Sequence, residues 1–356
     1  MNRPLMNLVG CALALSFWGC GASSDGETDS DASPGGGQGQ PGGGSAGLAR
    51  IGDEPPLTAA HALAYDAMDA LSRRAGFATA ELGDATTYNG TMAMGPSQPE
   101  VLASLYFETQ RLADDVRGLR DRRPDIVSAM APENVGPSLA QTIVQGFTLG
   151  AVSMDPPTSR GGAQWYARNI VRTLDAYLLL GVVQGLSERS GAGFDRAVGL
   201  LFDEAGLPVG LGRLIAEADA ACGTSVLTDV RSSLVDARPG FVSSLEEKGT
   251  LDPLDRRVIE EGDDPVYDAV ILSVDRELNA ALARLFIATL RAEGFGSLEQ
   301  SALLGAYAAL SNRVLVARTS ADAVISQGLD QADPALVDRE ALAATLEEVF
   351  EVTCAP

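Results

Sequence analysis

Carboxylates are the residues of this chain whose type and spacing could do chemistry. Asp175, Glu188, Asp195, Asp203 and Glu204 fall in one helical stretch, and Asp275, Glu277, Glu293 and Glu299 in a second. Oxygen ligands suit hard cations such as ferric iron, Mg²⁺ or Ca²⁺, and facing helices can supply them. Glu188, Asp195, Glu293 and Glu299 are the leading candidates for an iron or calcium ion, because they stand at or near turns where two helix pairs could converge. The competing reading is that these acids face solvent or pair with Arg168, Arg172, Arg189, Arg276 or Arg291.

Other chemistry is thinner. His61 is the single histidine, which excludes multi-histidine metal centres and any Glu-x-x-His di-iron pair. On an apolar stripe with Leu57, Ala64, Met68 and Leu71, it reads as a packed histidine before a catalytic one. No Gly-x-Ser-x-Gly elbow, His-Glu-x-x-His or phosphate loop with its Lys is present. Gly210 and Gly212 open a helix but follow no strand, so they do not make a dinucleotide fingerprint. No catalytic residue is assigned, and the reading leans away from an enzyme.

These residues are positioned by a chain with a distinct start. Arg3 precedes an apolar run from Leu8 to Trp18 that ends in Gly19-Cys20. That run is too short for a bilayer, which needs ~20 apolar residues, and reads as an export signal. With Cys at the cut it resembles a bacterial lipoprotein signal over residues 1–19, Cys20 being acylated, as by palmitate. Leu8-Val9-Gly10-Cys11 matches the usual Leu-x-Gly-Cys pattern better than Phe17-Trp18-Gly19-Cys20 does, but a cut there leaves almost no apolar segment ahead of it and leaves Ala12 to Trp18 as an exposed apolar stretch. Residues 20–50 form the acylated Cys and a Gly/Ser/Asp linker, expected to be a disordered tether with a reach of about 30 Å.

Residues 51–356 are expected to be an all-α extracytoplasmic domain, a bundle or array of about ten to twelve helices. Expected helices include 58–74, 163–189, 192–204, 211–221, 224–237, 239–248, 264–293, 297–317, 319–330 and 334–352, with 163–189 as the central core helix. A capping box at Ser97–Glu100 opens a further helix, and shorter ones are expected at 125–131, 137–153 and 253–261. An offset of 104 residues aligns Arg172, Leu174, Leu178, Leu186 and Asp195 with Arg276, Leu278, Leu282, Leu290 and Glu299, which suggests two related halves.

The 48 acidic residues outnumber 26 basic ones, a formal charge of -22. That balance excludes nucleic acid as a partner and disfavours adsorption to anionic lipid, so the lipid anchor alone is expected to hold the protein at the membrane. Cys222 and Cys354 remain after export, and two cysteines in an oxidising compartment most simply form one disulfide. The expected location is the bacterial cell envelope, on its periplasmic face or the cell surface, with an envelope protein as a possible partner.

The block from Trp165 to Phe202 ends in Glu188-Arg189-Ser190-Gly191-Ala192-Gly193-Phe194-Asp195-Arg196-Ala197, and Leu290-Arg291-Ala292-Glu293-Gly294 echoes it. Together they resemble the algal iron-assimilation, or high-CO2-inducible, extracellular proteins and their bacterial lipoprotein relatives, over residues 165–320. The resemblance implies an extracytoplasmic, helical, iron-binding protein. Val198, Leu200 and Leu201 stand where that group would carry aromatics. Imelysin-like lipoproteins carry a Gly-x-His-x-x-Glu motif that this chain lacks.

Overall fold

The computed structural model describes residues 48, 50–51, 57–74, 153–249 and 265–354. The signal, the tether apart from Leu48 and Arg50, the stretch 97–152 with the helices expected there, the helix expected at 253–261, and the loop between 77 and 96 lie outside the described residues. Among the described residues the fold is all-α: nine α-helices, one 3-10 turn and no strand beyond an isolated bridge between Phe202 and Pro208. In chain order these are α1 (Leu57–Arg73), α2 (Ala163–Ser187), α3 (Gly191–Gly199), α4 (Leu211–Cys222) and α5 (Val226–Gly249). Then follow α6 (Pro265–Arg291), α7 (Ser297–Ala317), α8 (Thr319–Leu329) and α9 (Arg339–Phe350).

The expected core helix is α2. It is long and apolar enough to cross a membrane, but 83% of its most apolar window is buried inside the protein. Ile170, Leu178, Val182 and Leu186 have no exposed surface, and α1, α3, α4, α6 and α7 surround them. Among the described helices its closest neighbour is α7, and small residues explain the approach. A Cβ built on Gly305 would stand 2.2 Å from the backbone oxygen of Asn169. Nearby, Ser301 donates its hydroxyl to the Trp165 carbonyl at 2.5 Å. Gly305→Ala should therefore overpack the crossing and cost about 1–3 kcal/mol, read as a lower urea midpoint with an unchanged slope.

The turn between α2 and α3 is also set by its residues. Gly185 and Gly193 face each other so closely that a Cβ on Gly193 would lie 2.3 Å from the Gly185 oxygen. Ser190 caps α3 by accepting the Gly193 N–H at 3.0 Å. Arg189 adopts a left-handed φ of 49°, unusual for a side-chain-bearing residue. Its guanidinium is held by Asp268 at 3.0 Å and lies over the Tyr267 ring, which stabilises that geometry from α6.

Four expected helices come out differently. The stretches 224–237 and 239–248 form one helix that runs through Pro239. The ring removes one N–H, but Phe241 beyond it is fully buried between Phe194 and Tyr267, with centroids 4.9 and 5.1 Å away. That packing carries the helix past its breaker. The expected helix 334–352 divides into a 3-10 turn, Pro334–Leu336, and α9, because Asp338 caps the latter by accepting the Ala341 N–H at 3.1 Å. The expected helix 192–204 stops at Gly199, where the chain turns toward the Phe202–Pro208 bridge.

The sulfurs of Cys222 and Cys354 lie at bonding distance, with Cα atoms 4.6 Å apart across a sequence separation of 132. This joins the end of α4 to the tail after α9. The tail is also gripped by Arg291, which donates to the Cys354 carbonyl at 2.6 Å and to Glu347 at 2.8 Å.

Candidate functional site: a buried polar seam under the first helix

On α1, His61, Tyr65 and Asp69 recur every four residues and so share one face. All three are buried, at 3%, 0% and 1% exposure. Three buried polar side chains on one helical face demand partners. α2 and α4 supply them.

His61 Nδ1 is 2.7 Å from the Tyr177 hydroxyl, with the two rings edge to face. Tyr65 donates its hydroxyl to Asp175 Oδ1 at 2.5 Å. The other carboxylate oxygen, Oδ2, lies 2.8 Å from Arg172 Nη2, yet no N–H is aimed at it. This is an ion contact without hydrogen-bond alignment. Arg213 reaches from α4 to three acids at once: Asp66 at 2.6 Å, Asp69 at 2.8 Å and Glu217 one helical turn along. Arg73 closes the set on Asp69 at 2.8 Å, while the Tyr65 ring lies under the Arg213 guanidinium.

Electrostatics divide the two central carboxylates. Burial raises Asp175 to about 6, and the Arg172 charge and the Tyr65 hydrogen bond offset this only in part. For Asp69 burial acts in the same direction, but Arg73, Arg172 and Arg213 together hold its carboxyl below the usual range. Tyr65 is pushed well above its ordinary value, by burial first and then by the Asp175 charge. Arg172 is held more firmly protonated despite burial, chiefly by Asp175. Opposed shifts in neighbouring carboxylates are a feature of acid–base sites. Asp175, however, has no exposed surface, so in this conformation it reaches no substrate.

Another buried carboxylate occupies the α6–α7 contact. Asp275 has no exposed surface, accepts from Asn279 Nδ2 at 2.9 Å and pairs with Arg313. Both long helices thus carry an acid in their apolar middle, each matched by an arginine.

The carboxylates singled out for a cation have other occupations. Glu188 pairs with Arg196, the sixth residue of α3. Asp195 is buried and accepts the Ile51 N–H at 2.8 Å, which fixes the chain just ahead of α1. Glu293 is exposed in the turn after α6. Glu299 accepts the Gly296 N–H at 3.1 Å and so caps α7. Among the described residues, no three His, Cys, Asp or Glu side chains gather as a metal would need, and the structure does not bring these four together.

Gly210 and Gly212 serve packing. Gly210 has a φ of +51°, and its N–H donates to Asp66 at 2.9 Å. A Cβ on Gly212 would lie 2.0 Å from the Leu201 oxygen. The glycines let α4 start against α1 and the turn after α3.

Sequence reasoning placed His61 on a packed face but missed the seam as a whole. Its signal was present: an i, i+4, i+8 row of His, Tyr and Asp on α1, and Asp175 embedded between Val171 and Leu180. Comparison with protein families, curated proteins and solved structures finds no match to this chain. Its function is therefore argued from its own residues.

Proposed function

We propose that this chain is a lipid-anchored extracytoplasmic lipoprotein whose helical body serves as a structural or interaction module of the cell envelope. The observation that carries this reading is the Cys222–Cys354 pair, at bonding distance across 132 residues, which suits an oxidising compartment. It is the counterpart, at the far end of the chain, of the apolar run that ends at Cys20. The acidic balance supports a body that stays off anionic headgroups and nucleic acid, with the acyl chains as its membrane contact.

Iron or another hard cation, as the resemblance implies, is the weaker reading. Asp195 and Glu299 already accept backbone N–H groups and Glu188 already pairs with Arg196, so a cation would have to displace these contacts. For the whole body we retain ten to twelve helices and an origin by duplication. Its support is that α2 and α6 end at Ser187 and Arg291, 104 residues apart.

Lipidation is tested at Cys20. Cys20→Ser should abolish acyl labelling and move the protein from the membrane to the soluble fraction, while Cys11→Ser leaves both unchanged. The reverse pattern, or labelling of neither cysteine in the parent, defeats the anchor and with it this reading.

A further inference from the structure

Among the polar contacts that seat α1, one carboxylate lies on the seam itself and has no exposed surface: Asp175. From α1 it is faced by Tyr65, which donates to it at 2.5 Å, and by Asp69. Its own helix presents Arg172 at 2.8 Å, and α4 presents Arg213. Lifting α1 would remove Tyr65 and Asp69 together and admit water to the carboxylate. An ionised carboxylate gains most from that hydration, whereas a neutral carboxyl gains little. Protonation of Oδ2, at which no N–H is aimed, leaves the Tyr65 hydrogen bond to Oδ1 in place and gives up the ion contact to Arg172. Arg172 then keeps Asp69 as its nearby counter-charge.

We propose that α1 is a pH-gated arm, seated firmly on α2 and α4 when Asp175 carries a proton and more loosely when Asp175 is ionised. Ahead of α1 in the chain, Leu48, Arg50 and Ile51 are docked on the body by burial of Leu48, by the Arg50–Glu204 pair at 3.0 Å and by the Asp195 contact. The arm therefore joins the docked end of the tether to the core helix. Acidity outside the cytoplasm would set how tightly that junction is closed.

The sign follows from linkage. Asp175 in the closed seam is raised to about 6, and on opening it returns toward the ordinary carboxylate value. Closing the arm binds a proton, so this contribution is fully present below the ordinary carboxylate pKa and is lost as pH rises through about 6. Asp69 shifts the other way and stays ionised across that window, so it adds no slope there.

The test is amide hydrogen exchange of the α1 peptides in the full chain, corrected for intrinsic rates, between about pH 7.5 and about pH 5. The opening constant of α1 should be about tenfold smaller at the acid end, while α7 peptides show no such change. Asp175→Asn should flatten the dependence. Tyr65→Phe should lower protection at every pH and keep the slope. His61→Gln, which replaces the histidine of the same seam, should also keep it. Should Asp175→Asn not fold, carbon-13 titration of the aspartate carboxyls in the parent chain reads the same group, with one aspartate titrating near pH 6. A slope that survives Asp175→Asn, a slope that vanishes in His61→Gln, or a parent with flat α1 protection and no such aspartate overturns the proposal.

Discussion

Cys222→Ser should lower the stability of the oxidised protein by about 3–5 kcal/mol, and its thermal midpoint by roughly 6–15 °C. A bond across 132 residues removes about 5 kcal/mol of chain entropy from the unfolded state, an upper figure because denatured chains keep some structure. The loss should be local before it is global. Cys354 and Val352 are buried, yet the residues between them and α9 include exposed Glu351 and Thr353. Without the bond, the tail depends on Arg291, which spans Glu347 and the Cys354 carbonyl. Hydrogen exchange should therefore quicken in α9 before it does in α2. Cys354→Ser should reproduce the effect, and the double variant should cost no more than either single one, because both remove the same bond. Equal midpoints for parent and Cys222→Ser under non-reducing conditions, or two free thiols in the unfolded oxidised parent, would contradict the pairing.

The helices that could be read from sequence are those whose ends carry local instructions. Gly162 precedes α2 and the Ser190 cap opens α3, while Gly223 closes α4 in a left-handed conformation and Gly296 precedes α7. Such signals act within one turn and are visible in a short window. Pro239 failed as a signal because the force that overrides it is not local: Phe241 is held by Phe194 on α3 and Tyr267 on α6. Asp338 gives no local stop signal, because the apolar pattern continues across it from Leu336 to Leu342, and only its side-chain contact to Ala341 shows the break.

The same division explains the carboxylates. An acid near a turn is ambiguous, since a helix start offers free N–H groups and a metal offers a charge, and both recruit oxygen. At Glu299 the backbone takes the carboxylate, and at Asp195 the Ile51 N–H does. Nothing in the local sequence distinguishes these cases. The seam was hidden for a different reason: Tyr65 and Asp175 are 110 residues apart, and each on its own looks like a tolerated exception on an apolar helix. Their pairing arises only when α1 is laid on α2.

Arg172→Met should destabilise the protein by about 3–5 kcal/mol at neutral pH, the cost of leaving a buried charge without its partner. Arg172 has only 7% of its surface exposed and Asp175 none, so water cannot replace the lost contact. The cost should shrink on acidification. With the arginine gone, nothing on α2 opposes the burial that already raises Asp175 to about 6, so the carboxyl takes a proton and the orphaned charge disappears. The gap between parent and Arg172→Met should thus be widest above pH 6 and narrow below it, measured by urea unfolding across that range. Asp69 limits the recovery, because Arg172 is one of three arginines that hold it ionised, and Arg73 and Arg213 must then carry it alone. Replacing both members, Arg172→Met with Asp175→Leu, should recover much of the loss, since an apolar pair of similar volume avoids desolvating either ion. What it should not recover is the Tyr65 contact: that hydroxyl would be buried with no acceptor, at about 1–3 kcal/mol. Adding Tyr65→Phe to the double variant removes that hydroxyl and should return most of the remainder. A double variant as unstable as Arg172→Met alone would mean that the pair contributes more than its own desolvation cost. The charges would then hold α2 and α1 in register rather than merely offsetting each other.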